Sequence, residues 1–308
     1  MPDAPSLPAR LAWALLAAAT VASACTGEPG PPSGPPQGAP TVREMAEDLG
    51  ADVVTALMRG YHPATSTDVA FVPMPGNTVV RWSGEGLGTD LADPRTTHPT
   101  PWDYHQRVPI VLYGPGRIAP GRSESPVDIT AIPRTLGPLA GSGFGGGRLL
   151  LGPGEVTGGS PPRALVVVAY DGGGWNLLER WPDAWPFLRR IMDRGLVHTN
   201  ATIGSAPAVT TAIHANLGTG VYPSRHGVAE ITGRLPDGSV GDLFFAEEAD
   251  PRLLRQDTFG DAWDRKNGNR PWVGMIGYEA WHLGMMSRGT RAPGGDRDVA
   301  VLWEDEPG

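Results

Sequence analysis

The stretch from Ala164 to Gly227 constrains this chain more than any other. Ala164-Leu-Val-Val-Val-Ala-Tyr170 is a β-branched apolar run without a polar interruption, the pattern of a strand buried on both faces of a parallel sheet. It ends at Asp171-Gly-Gly-Gly174. A carboxylate at the C-terminal lip of such a strand, followed by glycines that let a ligand approach the backbone, is where open α/β sheets place their chemistry. Further on, Ser205-Ala-Pro-Ala-Val-Thr-Thr-Ala-Ile-His214 reads as a loop turning into a helix. A hydroxyl at Thr210 or Thr211 then stands where free backbone N–H groups and the positive dipole end favour an anion. Singly, each residue has a plain role: Asp171 closing a turn, or either threonine capping a helix.

The spacing ties them together. Relative to Thr210, His214 stands at +4, Thr219-Gly220 at +9 and +10, Pro223 at +13 and His226-Gly227 at +16 and +17. With the strand-end Asp171, this segment resembles the nucleophile segment of the alkaline phosphatase superfamily, most closely its type I phosphodiesterase/nucleotide pyrophosphatase branch. The resemblance selects Thr210 over Thr211 as the attacking hydroxyl. It implies Asp171 and Thr210 as ligands of one of two zinc ions, and a three-layer α/β sandwich around a mostly parallel central sheet.

The ends read differently. Residues 1–25 form an export address: the 14-residue apolar run Leu11–Ala24 behind Arg10 is short for a membrane span and right for a signal-peptide core. Ala22-Ser-Ala-Cys25 resembles a bacterial lipobox. Cys25 is the only cysteine, so it makes no internal disulfide and is the candidate for acylation, with a plain secretory signal as the alternative. Either way the protein is expected outside the cytoplasm. Residues 26–41, rich in Pro and Gly, form a tether that would hold a domain off a membrane surface. With 308 residues and 40% apolar content, the remainder can bury a core of one large or two ordinary domains. Its net charge of −8 offers no footprint for nucleic acid.

Between tether and core motif, residues 42–140 predict helices over Val42–Gly50 and Ala51–Met58 and strands over Thr67–Pro75, Thr78–Trp82 and Val108–Tyr113. A helix over Val127–Ala140 is expected to pack on the last of these. The passage Thr96-Thr-His-Pro through Val108-Pro-Ile-Val-Leu-Tyr-Gly-Pro-Gly116 to Asp128-Ile-Thr-Ala-Ile-Pro is similar to the C-terminal part of the same superfamily. There it supplies the last metal-ligating histidine. By that resemblance His98 is a zinc ligand, although Pro99 replaces the usual glycine, and a loop histidine without metal is the alternative. The order implies a circular permutation, with the family's C-terminal piece placed ahead of its N-terminal piece (163–308) through a Gly/Pro-rich linker, 141–162. Permutation requires His98 and Asp171 to lie within about 10 Å, because the metals of such a centre are about 4 Å apart.

After the motif, the sequence predicts a helix starting at Trp185 or Pro186, with Phe187, Leu188, Ile191 and Met192 on one face. A strand over Leu196–Ile203, a helix over Thr258–Lys266 and a strand over Pro271–Tyr278 follow. This β-α-β rhythm points to an α/β fold. His282 reads as structural or substrate-facing. The family's remaining ligands, an Asp with a His four residues on and an adjacent Asp-His pair, occur nowhere in the 308 residues. The chain therefore reads as a fragment whose lost C-terminal part carried them, with little activity alone. The Val228–Arg234 stretch also lacks the asparagine that the pyrophosphatase branch uses on a phosphoryl oxygen, which leaves monoesters open beside diesters.

The resemblance implies hydrolysis of a small-molecule phosphate ester through a phosphothreonine on Thr210. The competing class is a non-catalytic surface lipoprotein that keeps the fold without metals. Sulfatase chemistry would need a Cys/Ser-x-Pro-x-Arg motif, which is absent at this site.

Overall fold

The computed structural model describes residues 47–77, 98–144, 149–152, 154–156, 162–243, 253–277, 284–286 and 299–302. The leader with Cys25, the tether, the strand expected over Thr78–Trp82 and His282 lie outside the described residues.

The first half supplies α1 (Ala51–Gly60), α2 (Asp103–Gln106), β1 (Arg107–Leu112), β2 (Gly121–Ser123), β3 (Val127–Asp128) and α3 (Ala131–Ala140). The second supplies α4 (Trp175–Arg180), α5 (Pro186–Arg194), β4 (Leu196–Thr202), α6 (Thr210–Thr219), α7 (Pro223–His226), β5 (Thr232–Arg234), β6 (Val240–Asp242), α8 (Phe259–Asn267), β7 (Gly274–Gly277) and β8 (Val299–Leu302). The fold is α/β.

Strand β4 is the centre of the main sheet. Its apolar residues Leu196, Val197 and Ala201 are fully buried. β1 pairs with it antiparallel on one side, and β2 and β3 pair with it parallel on the other. The β1–β4 register shifts between Val108 and Ile110, at Pro109, which has no N–H to give the ladder. Strands from residues 42–140 and 163–308 thus share one sheet. It is mixed, where a mostly parallel sheet was expected. The two smaller sheets are antiparallel β5–β6 and parallel β7–β8.

Several expected elements appear where the pattern put them. Pro186 starts α5, as a residue with no N–H to donate can. Thr258 caps α8: its hydroxyl accepts from the Asp261 N–H at 3.2 Å while Asp261 accepts from the Thr258 N–H at 2.7 Å. α3 joins β1 and β4 in one core through Ala131, Ile110, Leu112 and Leu196. It starts later than expected, because Val127 and Asp128 pair with β4 and the Ile129 N–H continues to the Thr202 carbonyl.

Other expectations are corrected. Ala164–Tyr170 is neither a buried strand nor part of any ladder; Val166 is 83% exposed and Val168 64%. An apolar run becomes a strand only with a neighbour to pair with, and this one faces β1 across a cleft lined by both. Thr67–Pro75 forms turns and irregular backbone, with Phe71 and Met74 exposed; Pro73 and Pro75 remove two donors that a ladder would need. The apolar face of α5 is at most half-buried, and Phe187 is exposed. Helix α4 was not foreseen; Gly174 introduces it.

Candidate active site

Asp171 follows the extended 164–170 run at a turn in which Gly172 has φ of 73°, a conformation natural to glycine. A β-carbon on Gly173 would come within 2.8 Å of the Tyr170 Cβ, so the turn is closed to larger residues. Its carboxylate meets residues from two distant segments. The Thr210 hydroxyl donates to Asp171 Oδ2 at 3.0 Å, and His98 Nε2 lies 3.1 Å from Asp171 Oδ1. The distance requirement set by the sequence is met.

Thr210 is the first residue of α6, after the extended Val209. Its hydroxyl turns to Asp171, and helix geometry leaves the first-turn amides beside it without intrahelical acceptors. Thr211 is used differently. It is fully buried, and its hydroxyl donates to the Glu230 carbonyl at 2.9 Å. The two adjacent threonines therefore part, one toward the carboxylate and one into the structure.

The hydrogen bonding of His98 fixes its chemistry. Nδ1 lies 2.6 Å from the Ala208 carbonyl, which can only accept, so Nδ1 carries a proton. Nε2 then presents either a lone pair or, in the charged ring, a second N–H. A bare lone pair facing a carboxylate oxygen at 3.1 Å is repulsive, so a cation must stand between them: a proton or a metal ion. The pairing works both ways. The hydrogen bond from His98 holds the Asp171 carboxyl far below the usual carboxylate range, against the opposing effect of burial, with the charges of His98 and His214 and the Thr210 hydrogen bond adding to it. The same bond raises the His98 imidazole, again against burial.

Imidazole nitrogen, carboxylate oxygen and hydroxyl oxygen are a donor set suited to zinc, with the Nδ1–carbonyl bond acting as the orienting second shell. Two ligands of a tetrahedral zinc, each about 2.0–2.1 Å from the ion, are about 3.3 Å apart. The observed 3.1 Å is of that size. Among the described residues, no group of three or more His, Cys, Asp or Glu gathers to hold a metal; the present set has two of these plus the Thr210 hydroxyl.

Two participants were given no role from the sequence. His214, buried one turn after Thr210, belongs to the motif spacing, and its charge helps depress Asp171; the i, i+4 relation places it on the same helix face. Gln106 is also buried. It donates to the carbonyls of Thr100 (3.4 Å) and Ser205 (3.2 Å) and accepts from the Gly204 N–H (3.2 Å). With the Ala208 N–H donating to the Pro99 carbonyl, it staples the loop bearing His98 to the loop leading into Thr210.

No curated protein and no solved structure matches the chain. Residues 165–282 match the family model described as "Type I phosphodiesterase / nucleotide pyrophosphatase". This segment carries Asp171, Thr210 and His214; His98 lies outside it and is brought in by the fold. Residues 165–282 are thus similar to the type I phosphodiesterases/nucleotide pyrophosphatases, a family within the alkaline phosphatase superfamily.

Proposed function

We propose that the protein is a zinc-dependent phosphoric-ester hydrolase that works through a covalent phosphothreonine on Thr210. The observation that carries this reading is the convergence of His98 Nε2 and the Thr210 hydroxyl on the two oxygens of Asp171, an arrangement that calls for a cation.

Asp171, His98 and Thr210 would hold the ion, which when bound supplies Lewis acidity that lowers the pKa of the threonine hydroxyl. Asp171 by itself is a poor base, since its carboxyl is held far below the usual range. Its role is to orient the hydroxyl and to contribute negative charge. The Thr210 oxygen gives up its proton to solvent and attacks phosphorus in line, forming the Oγ–P bond as the bond to the leaving alcohol oxygen breaks; that oxygen takes up a proton from solvent. Water then attacks phosphorus, the Oγ–P bond breaks with release of phosphate (or of a phosphate monoester when the substrate is a diester), and Oγ takes up a proton to regenerate the hydroxyl. The first-turn amides of α6 point toward the phosphoryl oxygens and favour their charge.

The family's second zinc would need ligands beyond these three residues. The shared sheet of 42–140 and 163–308, with His98 reaching Asp171, supports the circular permutation. In that arrangement the whole protein would form the three-layer sandwich of its superfamily. The apolar leader and Cys25 support export and lipid anchoring through the 26–41 tether.

The test is Thr210→Ala, assayed on aryl phosphate monoesters and diesters. Turnover should vanish with the far-UV circular dichroism unchanged; full residual turnover would remove Thr210 from the nucleophile role. A non-catalytic lipoprotein would instead turn over neither ester and bind no zinc.

A further inference from the structure

We propose that this site takes phosphate esters of apolar alcohols, aryl or alkyl, and rejects nucleotides and other polyanions. The proposal rests on the hydrolase reading and concerns the part of the substrate beyond the phosphoryl group.

A cleft of about 510 Å³ opens from Asp171 and Thr210, within the ordinary range for ligand sites. His98, Asp171 and Thr210 meet in its wall, which also includes the polar side chains of Tyr104, His105 and Asn176. Most of the lining is apolar: Val108 and Ile110 from β1, Leu136 from α3, Val168 from the unpaired run, and Ile213 and Leu217 from α6. Among the described residues, no lysine, arginine or glutamate lines it.

This lining decides between leaving groups. A second phosphate or a ribose placed against these walls would give up water with no cation and few hydrogen-bond partners in return. An alkyl or aryl group would exchange water for aliphatic contact, at a gain of up to about fourfold in affinity for each fully buried methylene. The exposed Val166 and Val168 leave one side of the cleft open, so a chain can enter lengthwise with its phosphoryl end at Thr210.

The experiment is calorimetric titration of the zinc-loaded full chain with methyl-, butyl- and octylphosphonate, with a nucleoside 5′-phosphonate, and with 1-octanol as a neutral control. Affinity should rise about two- to fourfold per methylene along the phosphonates, and the nucleoside compound should bind no tighter than methylphosphonate. Leu217→Trp, which fills the cleft, should abolish the gain from chain length, so that octylphosphonate binds no tighter than methylphosphonate. Affinity independent of chain length in the unmodified protein, or tightest binding by the nucleoside compound, would overturn the proposal while leaving the hydrolase reading intact. If octanol binds as tightly as octylphosphonate, the cleft is apolar but takes no phosphoryl group. That result would remove the hydrolase reading and the substrate class together.

Discussion

His98 Nε2 stands 3.1 Å from Asp171 Oδ1, although the two residues lie on opposite sides of the glycine-rich linker. The contact has a definite polarity, because the Ala208 carbonyl claims the other ring nitrogen as a donor. If His98 is a zinc ligand as proposed, replacing it by alanine should remove the ligand and its orienting bond together. Zinc affinity, followed by competition with a chromophoric chelator, should fall by about 100-fold or more. An unchanged affinity would return His98 to the role of an ordinary loop histidine.

Gln106 acts on the site from a distance. Its amide is the buried link between the Thr100, Gly204 and Ser205 backbones, so Gln106→Ala leaves three buried polar groups without that partner. Urea denaturation should show a loss of about 1–3 kcal/mol. Because the His98 loop loses its staple, kcat should drop more than KM rises. Gln106→Glu keeps the acceptor for the Gly204 N–H but faces two carbonyls without a donor, and should rescue little. A stability loss with kcat untouched would show that Gln106 merely supports the fold.

His226 makes stability depend on pH with a known sign. The ring is fully buried, with the Val228 N–H donating to Nδ1 and the Asn216 amide 2.8 Å from Nε2. Burial, and secondarily the nearby His62, push its pKa down to about 3. The unfolded chain takes up a proton near the ordinary histidine value, so between there and pH 3 the unfolded state binds more protons than the native state. Stability attributable to His226 should be full above about pH 6.5 and fall by up to about 1.4 kcal/mol for each pH unit below it. Urea midpoints across pH 4–8 for the wild type and His226→Gln would show this as a difference in slope; parallel curves would contradict it.

The capping box of α8 offers a local test away from the site. Thr258 is fully buried and is joined to Asp261 by three hydrogen bonds, two of them through its hydroxyl. Thr258→Ala should cost about 1–2 kcal/mol in urea denaturation and leave zinc affinity unchanged. A loss of zinc binding at this position would mean that the site and α8 are coupled in a way these contacts do not explain.

The sequence was most legible where local chemistry decides the outcome. A helix over Thr258–Lys266 was readable and α8 forms there, Pro186 marks the start of α5, and the strand expected from Leu196 becomes the central one. Asp171 and Thr210 could be named because motif spacing ties a strand end to a helix start. What depends on partners was not legible. Ala164–Tyr170 has every internal mark of a strand, yet pairing is a property of two segments, and here no described neighbour accepts it. Gln106 was missed, and His214, although quoted in the motif, was given no role, for a related reason: their effect comes from groups on other segments, Ser205 and Gly204 for the first and Asp171 for the second. His98 was reachable only through resemblance, because a lone histidine before a proline carries no mark of its own.

The central claim is that Asp171 gathers an imidazole and an alkoxide-forming hydroxyl around one cation. Zinc-edge X-ray absorption on the zinc-loaded protein, compared with Asp171→Asn and Thr210→Ala, tests it most directly. The account predicts a bound ion with a nitrogen/oxygen first shell at about 2.0–2.1 Å, lost or much weakened in Asp171→Asn and missing one oxygen in Thr210→Ala. A protein that binds no zinc, or whose zinc spectrum is the same in all three forms, would contradict it.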